Sequence, residues 1–335
     1  MNNTLFDGKK ILITGGTGSL GKALTNRILE SNVDTIRIFS RDEWKQTQMY
    51  NELKDDTRVR FLIGDIRDKE RISHALEDID IVFHAAALKH VPVAEYNPFE
   101  AVKTNIYGTQ NLIEACLEKD VDTAIAIGTD KAVAPLNTYG ATKMLMERLF
   151  ISSNYYKGKH KTKFICARYG NVLGSRGSIV PLFLEQIKTK NKITITDPDM
   201  TRFNITMKNA LDLIIRAFEQ GEGGEVFIPK LKAYKTGDMR DAIIETVKID
   251  CQEERISVRP GEKFHESLIS KDEIRHVYES DEDYIILQPQ TLNYEVGDVE
   301  KLKKADLKDR YSSDNVPLLT KEEIKKILVD EDLVQ

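Results

Sequence analysis

Tyr139 and Lys143 stand four residues apart, with Thr129-Asp130-Lys131 ending eight residues before the tyrosine. On a helix a Tyr and a Lys at that spacing share one face. The ammonium can then draw the phenol's pKa down from about 10 toward the working range of a base. Such a pair suits removal of a hydroxyl proton while hydride leaves the same carbon for a nicotinamide. Oxidation at one carbon needs only the Tyr. Asp130 and Lys131 add a carboxylic acid and a second base, which suggests loss of water after the oxidation. Lys131 must be neutral to act as a base, so its pKa is expected to be lowered by burial or nearby positive charge.

Spacing alone does not single out Tyr139. Tyr50/Lys54 and Tyr155/Lys159 repeat it, and both read as ordinary solvated helix faces. The surrounding elements make the difference. Short apolar runs at Lys10–Thr14, Thr35–Phe39, Val59–Ile63, Ile79–His84, Thr123–Ile127 and Lys163–Ala167 read as strands. Helical patterns lie between them, among them Gly18–Glu30 and Pro98–Leu117. The alternation predicts an α/β fold, a Rossmann-type doubly wound parallel sheet. In such a sheet the strand ends form the ligand crevice. Residues 1–170 read as the dinucleotide-binding domain. Residues 171–335 read as a smaller mixed α/β substrate lobe, some of whose elements could return to the main sheet. Helical stretches are expected near 179–188 and 207–220, strands at 193–196 and 224–228, and acidic-basic helical segments at the end.

The first strand runs into glycines at 15, 18 and 21, in Gly15-Gly16-Thr17-Gly18-Ser19-Leu20-Gly21. A strand, this turn and a helix bring backbone N–H groups and a positive helix end to a pyrophosphate. Glycine is needed where the backbone approaches the phosphates or the helix packs on the sheet. At the end of the second strand Ser40 and Arg41 precede Asp42. A guanidinium there suits a 2′-phosphate and favours NADP. NAD, with Asp42 on the ribose and Arg41 as a solvated surface residue, stays open. Asp65, next to Ile66, is a candidate for the adenine amine or for a helix cap. Ala85, Ala86 and Ala87 are small enough for the backbone to pass close to the cofactor.

The 335 residues carry a net charge of −5, with 41% hydrophobic and 31% charged residues. That is the composition of a soluble globular protein without a basic field for nucleic acid or anionic membrane. No apolar run approaches ~18 residues, and the N-terminus lacks a signal pattern, so neither membrane nor export is expected. Three dispersed cysteines fit neither a disulfide framework nor a zinc site, which points to the cytoplasm. The six histidines show no metal-ligand spacing, and His84 and His265 read as structural.

With Gly15–Gly21, Ala85–Ala87, Tyr139 and Lys143 in order, the chain resembles the extended short-chain dehydrogenase/reductase superfamily. Further segments narrow the resemblance: Ser40-Arg41-Asp42-Glu43, His84 through Lys89-His90-Val-Pro-Val, Glu95-Tyr-Asn-Pro98, Lys103-Thr-Asn105, Thr129 through Ala132, Asn137 through Lys143, and Arg168 through Gly177. Over about residues 5–270 they resemble the soluble UDP-N-acetylglucosamine 4,6-dehydratases, nearest in type to the 5-inverting enzymes of pseudaminic acid synthesis. That resemblance implies a cycle. Tyr139 takes the 4-OH proton as C4 gives hydride to NADP, and Lys143 holds the nicotinamide ribose. Lys131 removes the C5 proton, Asp130 protonates the departing 6-OH, and hydride returns to C6. Thr129 bonds near the 4-oxygen. Asn171, Arg202 and Arg259 face the diphosphate, to which guanidinium groups bind bidentately. Glu262 faces the uridine ribose, and Lys89 lies by the sugar. A tightly held NADP and a homo-oligomer, dimer or hexamer, are also implied.

The related dTDP-glucose dehydratases carry Glu where Lys131 stands, and the membrane-anchored relatives, with some soluble ones, carry Met in place of Tyr139. Two other readings share the motifs: a UDP-sugar 4-epimerase, which needs neither Asp130 nor Lys131, and an NADP-binding protein without turnover. Within the dehydratase reading, a C5-retaining outcome and GDP as the carrier stay open.

Overall fold

Successive residues of the first strand point into different cores. Leu12 packs with one apolar cluster, Ile11 and Ile13 with another, as expected of a strand covered on both faces. A computed structural model describes residues 4–175, 177–287 and 302–334. Arg176, inside the Arg168–Gly177 segment, and part of the expected closing helices lie outside the described residues.

The first half alternates as expected: β1 (Lys10–Thr14), α1 (Ser19–Leu29), β2 (Thr35–Ser40), α2 (Glu43–Leu53), β3 (Val59–Ile63), α3 (Lys69–Ala75) and β4 (Ile81–His84). Next come α4 (Val91–Tyr96), α5 (Pro98–Val102), a π-helical turn at Lys103–Tyr107, α6 (Gly108–Glu118), β5 (Thr123–Ile127), a 3₁₀ turn at Asp130–Ala132, α7 (Thr138–Tyr156) and β6 (Lys163–Ala167). The order β3-β2-β1-β4-β5-β6 is that of a doubly wound sheet, all parallel, with its topological switch between β1 and β4. Ligands bind at such a switch, beyond the carboxyl ends of the strands. α3, α6 and α7 cover one face, and α1 and α9 (Met207–Gln220) the other.

The second half contains α8 (Ile179–Lys190), β7 (Lys192–Ile195), β8 (Thr201–Phe203), β9 (Glu225–Pro229), β10 (Ala233–Lys235) and α10 (Thr236–Val247). Then follow β11 (Gln252–Arg255), β12 (Ser267–Ile269), β13 (Val277–Glu279), β14 (Asp283–Leu287), β15 (Lys303–Lys304), β16 (Tyr311–Ser312) and α11 (Lys321–Asp330). β9 continues the main sheet in parallel beside β6, and β14, β13 and β15 extend it antiparallel. A separate core of Val180, Phe183, Tyr234, Ile243 and Leu328 joins α8, α10 and α11. The expectation of closing helical segments is corrected: between residues 252 and 312 the described secondary structure is short strands and one 3₁₀ turn, and α11 alone is an α-helix.

The single helix expected over Pro98–Leu117 is interrupted by the π turn. Its cause is local. Asn105 Nδ2 donates to Leu88 O (3.0 Å) and to Thr142 Oγ1 (3.0 Å), while Asn105 Oδ1 accepts from Leu88 N (2.8 Å). The widened turn brings this amide to the loop after β4 and to α7 at once, a usual place for a π-bulge near a site.

A buried ion network fastens α7 to the second half. Arg168 donates to Glu147 on α7 through Nε (3.1 Å) and Nη2, to Glu273 Oε1 (2.8 Å) and to Leu268 O (2.8 Å). Burial disfavours the guanidinium, but Glu147 and Glu273 outweigh it and raise its pKa. Among the described residues no helix is long and apolar enough to cross a membrane. Removing one partner from a buried pair strands the other charge. Arg168→Met is therefore expected to cost about 3–5 kcal/mol in urea unfolding. Replacing Glu147 and Glu273 by Gln as well should recover much of that loss.

Candidate functional site

A cleft of about 1010 Å³ opens over the carboxyl ends of the parallel strands. It lies at the upper end of the range of roughly 300–1,000 Å³ typical of small-molecule sites. One wall is built by the glycine turn. Gly15 has φ +67°, and a Cβ there would stand 2.8 Å from Ala86 N and 2.9 Å from Ala85 C and O. The two backbones therefore touch, and any side chain would push β4 from β1. Gly15 N donates to Phe39 O (2.9 Å), and Gly18 N to Gly15 O (2.9 Å). No side chain caps α1 at Gly18, so its positive end faces the cleft beside Thr17, Ser19, Leu20 and Gly21. This cradle could hold a dinucleotide pyrophosphate, which fits a turn that no Cβ can enter.

Thr17 Oγ1 and Ser40 Oγ share a hydrogen bond of 2.8 Å. Arg41 lies 3.5 Å from Asp65 Oδ2. Asp42 accepts from Lys45 N (3.0 Å) as the cap of α2 and pairs with Lys45 Nζ (2.5 Å). Asp65 does not cap a helix. Asp68 does, accepting from Arg71 N (3.0 Å). Asp65 instead takes Arg67 N, Nε and Nη2 at 2.7–3.0 Å. Burial opposes its charge, but Arg67, with Arg41, holds its carboxyl below the usual range. Ile66 lines the cleft and is buried. His84 is structural, as expected: Nδ1 meets Thr14 Oγ1 (2.8 Å) across the β1–β4 seam, and Nε2 meets Thr109 Oγ1 (3.0 Å) on α6. Burial, with Lys143 nearby, lowers its pKa to about 3, so it is neutral. His265 bonds Thr201 Oγ1 (2.8 Å).

The floor is formed where β5 ends. Asn137 caps α7, its Oδ1 accepting from Gly140 N (2.8 Å). Gly140 lies so close to the 3₁₀ turn that a Cβ would meet Lys131 O at 2.2 Å. The glycine thus lets α7 start directly against Lys131 and brings Tyr139 beside Thr129, Asp130 and Lys131. Thr129 Oγ1 donates to Asp130 Oδ1 (3.0 Å). Lys131 Nζ donates to Asp130 Oδ1 (3.1 Å) and Asn171 Oδ1 (3.1 Å). It also lies 3.5 Å from Glu266 Oε1. Asp130 is 1% exposed and sits under the cleft rather than on its wall.

Two electrostatic expectations are corrected. Lys131 is not lowered: burial disfavours its ammonium, but Asp130 and Glu266 outweigh both burial and Arg202, and its pKa is raised. Tyr139 is not lowered by Lys143. Burial raises the phenol, Lys131 and a hydrogen bond with Thr129 oppose it, and Asp130 adds to the rise. Lys143 points along its helix to the end of β5, where Nζ donates to Ile127 O (2.6 Å). Burial lowers its pKa to about 8, with Cys166 and Glu147 opposing. Spacing put Tyr139 and Lys143 on one face, but spacing does not say which neighbour an ammonium reaches.

At the far wall, Arg202 Nη1 donates to Thr201 O (2.8 Å) and Phe264 O (3.0 Å), and Nη2 lies 3.5 Å from Glu262 Oε1. Glu262 Oε2 accepts from Arg259 N (3.2 Å). Arg259 and Lys89 are exposed on the rim. Asn171, expected at the diphosphate, has its side-chain oxygen on Lys131. The residue that sequence reasoning missed is Glu266. It follows the Arg259–His265 segment directly and carried no motif, and only the fold sets it beside Lys131. Tyr50/Lys54 stays on an outer helix, with Tyr50 exposed. Among the described residues no group of three or more His, Cys, Asp or Glu could hold a metal.

The pattern of the family described as "Polysaccharide biosynthesis protein" matches residues 11–288. The chain belongs to this family. Among its relatives, a Campylobacter jejuni protein named UDP-N-acetylglucosamine 4,6-dehydratase (inverting) is 45% identical over 93% of this chain and 95% of its own. A Rickettsia bellii protein named UDP-glucose 4-epimerase is 41% identical over 99% and 98%. The X-ray structure of Pen from Bacillus thuringiensis is 41% identical, with a TM-score of 0.92 over 98% of this chain and 99% of that one. The resemblance drawn from the motifs to the dehydratases thus holds across nearly the whole length.

Lys143 yields a test of its buried environment. Unfolded, its ammonium persists to about its ordinary 10.5; folded, it is lost near 8. Between these values the unfolded state binds more protons, so stability rises with pH across that window, and below it the buried charge is a cost. Lys143→Met should be more stable than the wild type at pH 7, by on the order of 1–3 kcal/mol. That advantage should shrink between pH 8 and 10.5 in denaturant melts.

Proposed function

We propose that the protein is a nucleotide-sugar dehydratase. It converts UDP-N-acetylglucosamine to a UDP-2-acetamido-2,6-dideoxy-4-hexulose, with inversion at C5, as a step toward a surface-glycan sugar. The observation that carries the reading is the meeting of Tyr139, Thr129, Asp130 and Lys131 on one floor, with Lys131 Nζ 3.1 Å from Asp130 Oδ1. Oxidation at C4 alone would leave that acid–base pair without work.

A bound nicotinamide would supply reversible hydride acceptance for C4 and C6, held over this floor by the Gly15–Gly21 turn and Lys143. Tyr139, as the phenolate that Thr129 and Lys131 favour, removes the 4-OH proton and becomes a phenol. Lys143, fixed by Ile127 O, holds the nicotinamide ribose. In the ground state Lys131 is an ammonium and Asp130 a carboxylate. Passage of one proton along their 3.1 Å contact makes Lys131 a neutral amine and Asp130 a carboxylic acid, the two forms that elimination needs. Lys131 then takes the C5 proton, the C6–O bond breaks, and Asp130 gives its proton to the departing hydroxyl. The pair ends in its starting charge state; as C6 is reduced, C5 takes a solvent-derived proton, which balances the proton that Tyr139 releases. Arg202, Arg259, Glu262 and Lys89 serve the nucleotide and sugar from the rim.

The cofactor is NADP. Asp42 is engaged as the cap of α2, while Arg41 stands beside it and Lys45 lines the same wall, an arrangement suited to a 2′-phosphate. A UDP-sugar 4-epimerase is the second reading, favoured by the epimerase names of the Rickettsia relatives.

Mass spectrometry of UDP-N-acetylglucosamine incubated with the protein in D₂O, without added reductant, separates the two: after back-exchange, a net loss of about 17 Da, water lost and one deuterium gained at C5, marks the dehydratase, unchanged mass an epimerase. Lys131→Ala should retain bound NADP yet lose water elimination by roughly 10²–10⁴-fold. Tyr139→Phe with near-wild-type turnover would remove Tyr139 from its assigned role. Arg41→Ala should weaken NADP binding roughly tenfold or more while leaving NAD binding little changed, read by titration of each cofactor.

A further inference from the structure

Glu266 is 3% exposed. Its backbone is clamped on both sides: its N–H donates to Ser313 Oγ (2.9 Å), and its carbonyl accepts from Ser313 N (2.8 Å) and Ser312 Oγ (3.1 Å). Its carboxylate is treated differently. Oε2 is buried with no hydrogen-bond partner among the described residues. Oε1 lies 3.5 Å from Lys131 Nζ, its one salt-bridge partner among the described residues. A buried acceptor left unmade costs about 1–3 kcal/mol, more if charged. Such a group needs a reason to be kept at the cleft, and the mechanism above leaves it unused.

We infer that Glu266 is a positioning residue for the elimination step, supplying the counter-charge for the Lys131 ammonium at the moment when Asp130 is a neutral acid. The inference rests on the dehydratase reading. When Lys131 takes the C5 proton it gains a positive charge, and the C5–H electron pair moves toward C6 as the hydroxyl leaves with Asp130's proton. Until that proton has gone, Asp130 offers Lys131 no negative charge. Glu266 does, from a backbone that cannot swing away. The other charges near Lys131 are Asp130 and Arg202, and Lys263 faces both Glu266 and Asp130 from the same loop. A carboxylate beside an amine makes it the stronger base, which agrees with the raised proton affinity of Lys131.

The test is Glu266→Gln, which keeps volume and removes charge, compared with Glu266→Asp. C4 oxidation precedes the step in question, so the Gln variant should take up hydride from UDP-N-acetylglucosamine and accumulate reduced nicotinamide, seen by absorbance. Its kcat for water loss should fall roughly ten- to hundredfold, with KM changed less than about threefold. The Asp variant should recover much of kcat. The melting temperature of the Gln variant should change little, since Lys131 keeps Asp130 as its partner when the Glu266 charge is gone. A Gln variant with wild-type kcat overturns the inference. So does one that loses kcat without accumulating reduced nicotinamide, or one that is destabilised and not rescued by Asp. Wild-type protein that forms reduced nicotinamide or a C4 epimer but never loses water refutes the dehydratase reading instead, and the inference falls with it.

Discussion

The site depends on an ammonium held at the floor of a cleft between two carboxylates. Lys131 lies 3.1 Å from Asp130 and 3.5 Å from Glu266, and contacts of this kind away from bulk water are worth on the order of a few kcal/mol each. Three separate pieces of chain must meet to make them: the turn after β5, the Asn171 loop after β6, and the segment leading into β12. Each is secured by polar contacts behind it. Asp130 N donates to Tyr169 O, Glu266 is gripped by Ser312 and Ser313, and Arg168 ties α7 to Leu268 and Glu273. Loosening any of these would move a charge that has no water to fall back on.

The same cluster governs the tyrosine. Burial makes Tyr139 a reluctant acid, and the groups that relieve it are Thr129 and Lys131, both from the neighbouring turn. In the proposed cycle oxidation and elimination are therefore electrostatically joined: the cation that favours a phenolate would also have to become the amine that attacks C5–H. Lys143 stands apart from this exchange, fixed to Ile127 O and easily deprotonated for a lysine. Its position at the end of β5 suits contact with a cofactor more than tuning of the phenol.

The family contains proteins named for dehydration and for epimerisation at similar identity. The glycine cradle, Tyr139 and Lys143 would serve either. What distinguishes the reactions is whether an acid and a second base are present and held within proton-transfer distance, which is why the floor of the cleft rather than its cofactor wall carries the functional reading.

By itself the sequence determined the doubly wound sheet, because strands covered on both faces must be short apolar runs and the helices between them must alternate with them. Six strands fall where those runs lie, within two residues at each end. It also determined the cofactor wall, since a glycine turn between strand and helix is a local feature; Gly15 at φ +67° needs no distant partner to be recognised. The tertiary structure decided the rest. The break in the helix after Val102 follows from Asn105 reaching Leu88 and Thr142. The return of β9 and β13–β15 to the main sheet follows from pairing between residues far apart in the chain. The protonation of Lys131 and Tyr139 was read with the wrong sign because pKa shifts depend on which charges lie within a few ångströms, and those of Lys131 include Glu266, 135 residues away. No periodicity or motif encodes a contact of that kind; only the folded chain brings the two together.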